Sequence, residues 1–231
     1  MNNISIILIK PQMGENIGAT ARAMKNFGLR DLRIVSPRDG WPNEKAHEMS
    51  AHASDIIESA RIFNSIEEAT ADLNILFATA SKPRDMVKEV ITPSQASALI
   101  PSTAKAGFIF GKESSGLDNY DISHCNYLIS IPVSPEYDSL NLAQAVCVIG
   151  YELFKGTDEK KNMDISPPLS ERKDINELIN FLDRELTTKN FFQTPSKKPG
   201  MLINIRNIFT RHFYTEQEVR TLRGIFNALR K

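Results

Sequence analysis

Apolar and polar positions over the first two thirds of the chain follow two periods in turn. Short, almost continuously apolar runs stand at residues 4–9, 32–35, 73–79, 107–110 and 127–131. Runs of this length predict strands, and their lack of strict alternation predicts helices on both faces. Between them, apolar residues recur at helical spacing near residues 17–27, 54–60, 66–71, 93–99 and 142–154. Alternating strands and helices predict an α/β domain over residues 1–156, built on a mostly parallel sheet.

Residues 157–170 break the pattern. They are polar and charged and contain Pro167-Pro168, which predicts a linker. Only helical patterns follow, over residues 171–231. Ile175, Leu178, Ile179, Leu182 and Leu186 make one stripe, with Ser170 as the expected N-cap. After a turn with Pro195 and Pro199-Gly200, Leu202, Ile205, Ile208 and Phe209 make a second. Val219, Leu222, Ile225, Phe226 and Leu229 make a third, opened by Thr215 and Glu218 in capping-box spacing. This all-helical extension is too small for much core of its own, so it is expected to dock on the first domain or on a partner chain.

Composition changes the picture little: 41% hydrophobic and 24% charged residues are ordinary for a globular protein. No apolar run approaches the ~20 residues of a membrane span, and the N-terminus lacks a signal-peptide pattern. A cytoplasmic protein with no membrane partner is expected. Cys125 and Cys147 give no disulfide framework and are expected to be buried free thiols. Charge is more informative. The formal net charge is zero, but residues 189–231 hold nine Lys and Arg against Glu216 and Glu218, a net +7. Such a split suggests a nucleic-acid-facing end; a solvated helical surface is the plainer alternative.

Three separated segments carry the candidate chemistry, each where an apolar run meets a helical one, the usual place for ligands in α/β sheets. The first, Asn16-Ile17-Gly18 with Arg22, opens a helix whose N–H groups attract anions. Arg22 suits a phosphate or developing negative charge; alternatively it is a surface arginine and Gly18 a packing glycine. The second, Gly111-Lys112-Glu113-Ser114-Ser115-Gly116, ends a strand. Gly111 permits close approach to the backbone, and Glu113 faces a ligand or caps the short helix after Leu117. In the third, Ile131-Pro132 ends a strand and Ser139-Leu140-Asn141 starts a helix, with Ser139 as ligand contact or N-cap. Tyr137 between them suits stacking on a base or packing.

Other chemistries fit less well. Gly111-Lys112-Glu113-Ser114 lacks the upstream glycine of a P-loop, and Gly14 and Gly18 lack dinucleotide-fingerprint spacing. His47, Glu48 and His52 fall one residue outside the zinc-protease pattern, which puts the two rings on different helix faces, so no metal is expected.

Together the three segments resemble the motifs of the SPOUT class of RNA methyltransferases, in its TrmH-like branch. The run from Ser134 to Ala143 and the tail around Asn204-Ile205-Arg206-Asn207 and Leu222-Arg223-Gly224 extend the resemblance to that branch's tRNA cytidine/uridine-32 ribose 2′-O-methyltransferases. The resemblance implies a sheet with a C-terminal trefoil knot, a homodimer with its site completed across the interface, and S-adenosylmethionine (S-adenosyl-L-methionine) as cofactor. It implies cofactor contacts at Thr79, Ala80, Ser81, Gly111, Ile131, Ser139 and Leu140. It implies that Arg22 orients the ribose 2′-OH and stabilises the nascent alkoxide, with Asn16, Glu113, Ser139 and Asn141 completing the catalytic set. Pro83, after Ser81, departs modestly from the pattern. The rival readings are the same chemistry on another tRNA position or on ribosomal RNA, and a non-catalytic RNA-binding protein of the same fold. The presence of Arg22, Asn16 and Asn141 argues against the last.

Overall fold

The first apolar run, Ile4–Ile9 (β1), is buried at every position. It splits its side chains between two cores: Ile6 and Leu8 enter one, Ile7 and Ile9 the other. The computed structural model describes residues 3–80, 86–156 and 168–230. In it β1 pairs with Asp31–Val35 (β2), which pairs with Arg61–Phe63 (β3). On the other side lie Ile75–Thr79 (β4), Glu89–Ile91 (β5), Ala106–Phe110 (β6) and Tyr127–Ile129 (β7). The seven strands form one sheet in the order β3-β2-β1-β6-β4-β7-β5, and every pairing is parallel. The two edge strands have three residues each, too few to show a period.

Helices cover both faces. Gly14–Asn26 (α1), Glu44–Met49 (α2), Ser54–Glu58 (α3), Pro93–Ala98 (α5) and Leu142–Lys155 (α7) pack on one core through Ile17, Ala46, Ile56, Ala96 and Val146. Ile66–Thr70 (α4) and Asn119–Ser123 (α6) pack on the other through Ile66 and Ile122. Of the two thiols, Cys125 is buried but Cys147 is only half-buried.

The extension consists of Arg172–Thr188 (α8), Lys198–Thr210 (α9) and Glu216–Ala228 (α10) around Ile175, Leu178, Ile179 and Val219. It docks on its own chain's first domain. The Arg172 N–H donates to Leu73 O at 2.8 Å, and Asn74 Nδ2 donates to Leu169 O at 3.1 Å. Most of the expected linker lies outside the described residues; its last part is fixed, with Leu169 in a β-bridge to Thr215. Ser170 is not the cap of α8. Glu171 holds that position without a side-chain cap, and the Ser170 hydroxyl donates to Glu171 O instead. Ile208, Ile225 and Leu229 are exposed: the docked face of each helix is narrower than its apolar stripe. Thr215 and Glu218 do form a capping box.

Candidate active site

The chain leaves β3 at one edge and returns at β4 on the far side of β1, with β6 between them. At the carboxyl ends of the strands beside this switch lies a cavity of about 300 Å³. Thr79 and Ala80 line it at the end of β4, residues 111–117 after β6, Ile129, Ile131 and Val133 at and beyond the end of β7, and Ser139 and Leu140 before α7. All the expected cofactor contacts that are described therefore surround one space. Ser81 lies outside the described residues, as does Pro83.

The loop after β6 is a tight hairpin. Gly116 N donates to Lys112 O at 2.8 Å, and Gly116 has φ +66°, a conformation that favours glycine. A Cβ on Gly111 would stand 2.1 Å from the Gly116 carbonyl carbon. The hairpin aims Glu113 at the start of α1, which has no side-chain cap of its own. Glu113 accepts from Gln12 N at 2.9 Å, from Met13 N at 3.4 Å and from Asn16 Nδ2 at 2.9 Å. The anion at this helix start is thus a carboxylate from about 100 residues away. Glu113 does not cap the helix after Leu117; Asp118 and Asp121 do so as a capping box. Burial pushes the Asp121 carboxyl up to about 6.

A carboxylate only accepts, so Asn16 turns Nδ2 to Glu113 and leaves Oδ1 for Asn141 Nδ2, which donates at 2.9 Å. Asn141 Oδ1 in turn accepts from Ala143 N, and Asn141 with Gln144 forms the capping box of α7. Asn141, not Ser139, is therefore the N-cap; Ser139 is left facing the cavity. The relay Glu113–Asn16–Asn141 joins all three motif segments.

Gly18 is a packing residue: a Cβ there would meet Ala46 O at 2.4 Å. Arg22 is exposed on α1, about 9 Å along the axis from Asn16, and does not line the cavity of its own chain. Tyr137 is 78% exposed in the loop beside Ser139. Lys112 and Asp138 also line the cavity, and the Gln12 and Met13 N–H groups hold Glu113, roles that the motifs do not assign to them. Lys112 adjoins Glu113 in the quoted motif, a signal available but unused. The two N–H groups carry no sequence signal. His47 lies 3.5 Å from Glu58, and among the described residues no group of three His, Cys, Asp or Glu could hold a metal.

Much of the basic surface of the extension is paired. Lys198 meets Asp183, Arg223 meets Glu177 and Arg230 meets Glu185, all on α8, and Arg220 meets Glu216. Arg206 turns inward over the Tyr120 ring and donates to Asn176 Oδ1 at 3.0 Å. Lys189, Lys197 and Arg211 remain exposed.

The cavity at a switch point, the hairpin carboxylate and the asparagine relay belong to a fold with known members. The chain belongs to the SpoU rRNA Methylase family, whose family model matches residues 3–151. Over nearly its whole length it is similar to TrmJ proteins. It is 34% identical to "tRNA (cytidine-2'-O-)-methyltransferase TrmJ" of Methanocaldococcus jannaschii, covering 96% of this chain and 98% of that one. It is 33% identical to "tRNA (cytidine/uridine-2'-O-)-methyltransferase TrmJ" of Photorhabdus laumondii, covering 100% and 98%. The crystal structure of TrmJ from Z. mobilis ZM4 superposes with a TM-score of 0.90 at 39% identity, covering 98% of this chain and 99% of that one.

Proposed function

We propose that this chain transfers the methyl group of S-adenosylmethionine to a ribose 2′-OH of tRNA, at position 32 of the anticodon loop (Cm32/Um32). The observation that carries the reading is the cavity at the carboxyl ends of β4, β6 and β7, with the Glu113–Asn16–Asn141 relay beside it. Its size suits a nucleoside-sized ligand at the small end of ordinary pockets. Ile131, Leu140 and Leu142 offer apolar walls for an adenine ring, and the strand ends offer backbone groups for its polar edge. When bound there, S-adenosylmethionine supplies an electrophilic sulfonium methyl, so the protein needs no electrophile of its own.

The protein's share is orientation and charge. The Arg22 guanidinium holds the 2′-OH in line and stabilises the nascent alkoxide, while the proton leaves to water or an RNA phosphate. Glu113, Asn16 and Asn141 fix the start of α1 against the cavity, and Ser139 contacts the reacting groups from the third segment. Arg22 does not reach its own cavity, which supports a homodimer in which it serves the partner's. Exposed Tyr151 and Phe154 beside Phe27 give the α1–α7 face an apolar surface for that pairing. In the same reading residues 1–156 form the catalytic domain, the loops of the cavity belong to a trefoil knot, and the protein works in the cytoplasm. The helical extension adds tRNA affinity through Lys189, Lys197 and Arg211.

The test is methyl transfer from labelled S-adenosylmethionine to unmodified tRNA transcripts, with the labelled nucleotide mapped. Label on the 2′-oxygen of nucleotide 32 is expected. Label on another nucleotide overturns the position, and no transfer to any RNA overturns the activity.

A further inference from the structure

Among the described residues none of the extension lines the cavity, yet it holds the segment that joins two of the cavity's walls. Leu117 and Ile129 both line the cavity, and between them run Asp118, α6, residues 124–126 and the start of β7. The last carbonyls of a helix need partners from outside it. Here the Thr210 hydroxyl of α9 donates to Ser123 O at 2.6 Å. Lys88 Nζ donates to Cys125 O and to Thr210 Oγ1, the latter at 2.9 Å. Asn126 Nδ2 donates to Thr210 O at 2.8 Å and to His212 O at 3.3 Å. Its Oδ1 accepts from Leu76 N and from the Arg172 guanidinium, the first residue of α8. Ser123, Cys125, Asn126, Arg172 and Thr210 are all buried to within 4% exposure.

Remove the extension, and Ser123 O and Asn126 Nδ2 lose their protein partners. We infer that Thr210 and Arg172 are positioning residues for the cofactor cavity, bracing the wall segment 117–129 from behind and coupling the extension to cofactor binding. This rests on the proposed cofactor site. The coupling is reciprocal: whatever steadies the extension tightens the cavity, and a ligand in the cavity steadies the extension.

Two variants separate a hydroxyl brace from simple packing. Thr210→Val keeps the shape and loses every hydrogen bond of the hydroxyl, those to Ser123 O and Arg206 O and the one from Lys88 Nζ; Thr210→Ser keeps the hydroxyl and loses a methyl. S-adenosylmethionine binding is measured by titration calorimetry on the full chain, beside a melting curve. Thr210→Val is expected to bind roughly tenfold more weakly, and Thr210→Ser about as tightly as the wild type. Equal affinity in Thr210→Val, or a greater loss in Thr210→Ser, overturns the brace. A wild-type chain that does not bind the cofactor overturns the proposed function, and the brace with it. A second measurement needs no variant. Saturating S-adenosylmethionine is expected to slow amide hydrogen exchange in residues 205–212, remote from the cavity. Unchanged exchange there, with the cofactor bound, also overturns the brace.

Discussion

The Asn141 side-chain amide donates to Asn16 Oδ1 at 2.9 Å across 125 residues of chain. One bond therefore ties the cap of α7 to the first turn of α1, and Asn16 passes the tie on to Glu113. Asn16→Ala breaks both links and leaves the Glu113 carboxylate with backbone donors alone. Misplacing a positioned group by about 1 Å can cost about a hundredfold, so kcat/KM for methyl transfer is expected to fall by roughly that factor. Steady-state kinetics beside a melting curve checks it. Near-normal turnover in a folded variant removes Asn16 from the machinery.

Arg22 is a different case. It is exposed and no hydrogen bond or ion pair to it appears among the described residues, so Arg22→Ala should alter stability by less than about 0.5 kcal/mol. Loss of a charge aimed at the developing alkoxide should lower kcat by about 10²–10³. Cofactor affinity should not change. A variant with weak cofactor binding and normal kcat would falsify the assigned role.

Gly111 offers a steric test of the cavity. The atoms a Cβ would strike at 2.1–2.5 Å are the backbone of Gly116 and Leu117, which no rotamer change can move. Gly111→Val must open the hairpin and displace Glu113 from the start of α1. S-adenosylmethionine binding by calorimetry is expected to fall below detection while far-ultraviolet circular dichroism stays that of an α/β protein. Retained affinity argues that the ligand sits elsewhere.

How much of this was legible in the sequence differs from element to element. The five central strands show as apolar runs because both their faces are covered. The three-residue edge strands, with Glu89 and Val90 exposed in β5 and Arg61 and Ile62 in β3, carry no such pattern. The motif residues were legible by type, and the positions expected at strand ends do surround one cavity. Their connections were not legible. Nothing local marks Glu113 as the cap of a helix about 100 residues earlier, or Asn141 as the partner of Asn16. Ser139 and Ser170 looked like caps because serine usually caps; neighbouring residues took those positions. The pairing of the tail's charges was not legible either. Counting from residue 189 omits the α8 carboxylates Glu177, Asp183 and Glu185, which fold back onto Arg223, Lys198 and Arg230.

The buried Lys88 makes a prediction about pH. Burial is the main cause that pushes its ammonium down to about 7. The neighbouring Arg172 and Arg211 charges push the same way, and only the Cys125 thiol opposes them. In the unfolded chain the group titrates near 10.5. Between about 7 and about 10.5, then, the unfolded chain binds a proton that the folded chain does not. Stability from this group therefore rises with pH across that window, by up to roughly 1 kcal/mol per unit. Below about 7 both states hold the proton, and the contribution is flat. Lys88→Met loses the titration together with the bonds to Cys125 O and Thr210 Oγ1. Its absolute stability shifts, but only the slope bears on the prediction. Urea unfolding at pH 7, 8 and 9 should give a less positive slope for Lys88→Met than for the wild type. Parallel slopes mean that Lys88 stays charged in the fold, held by its two oxygen acceptors against the cost of burial.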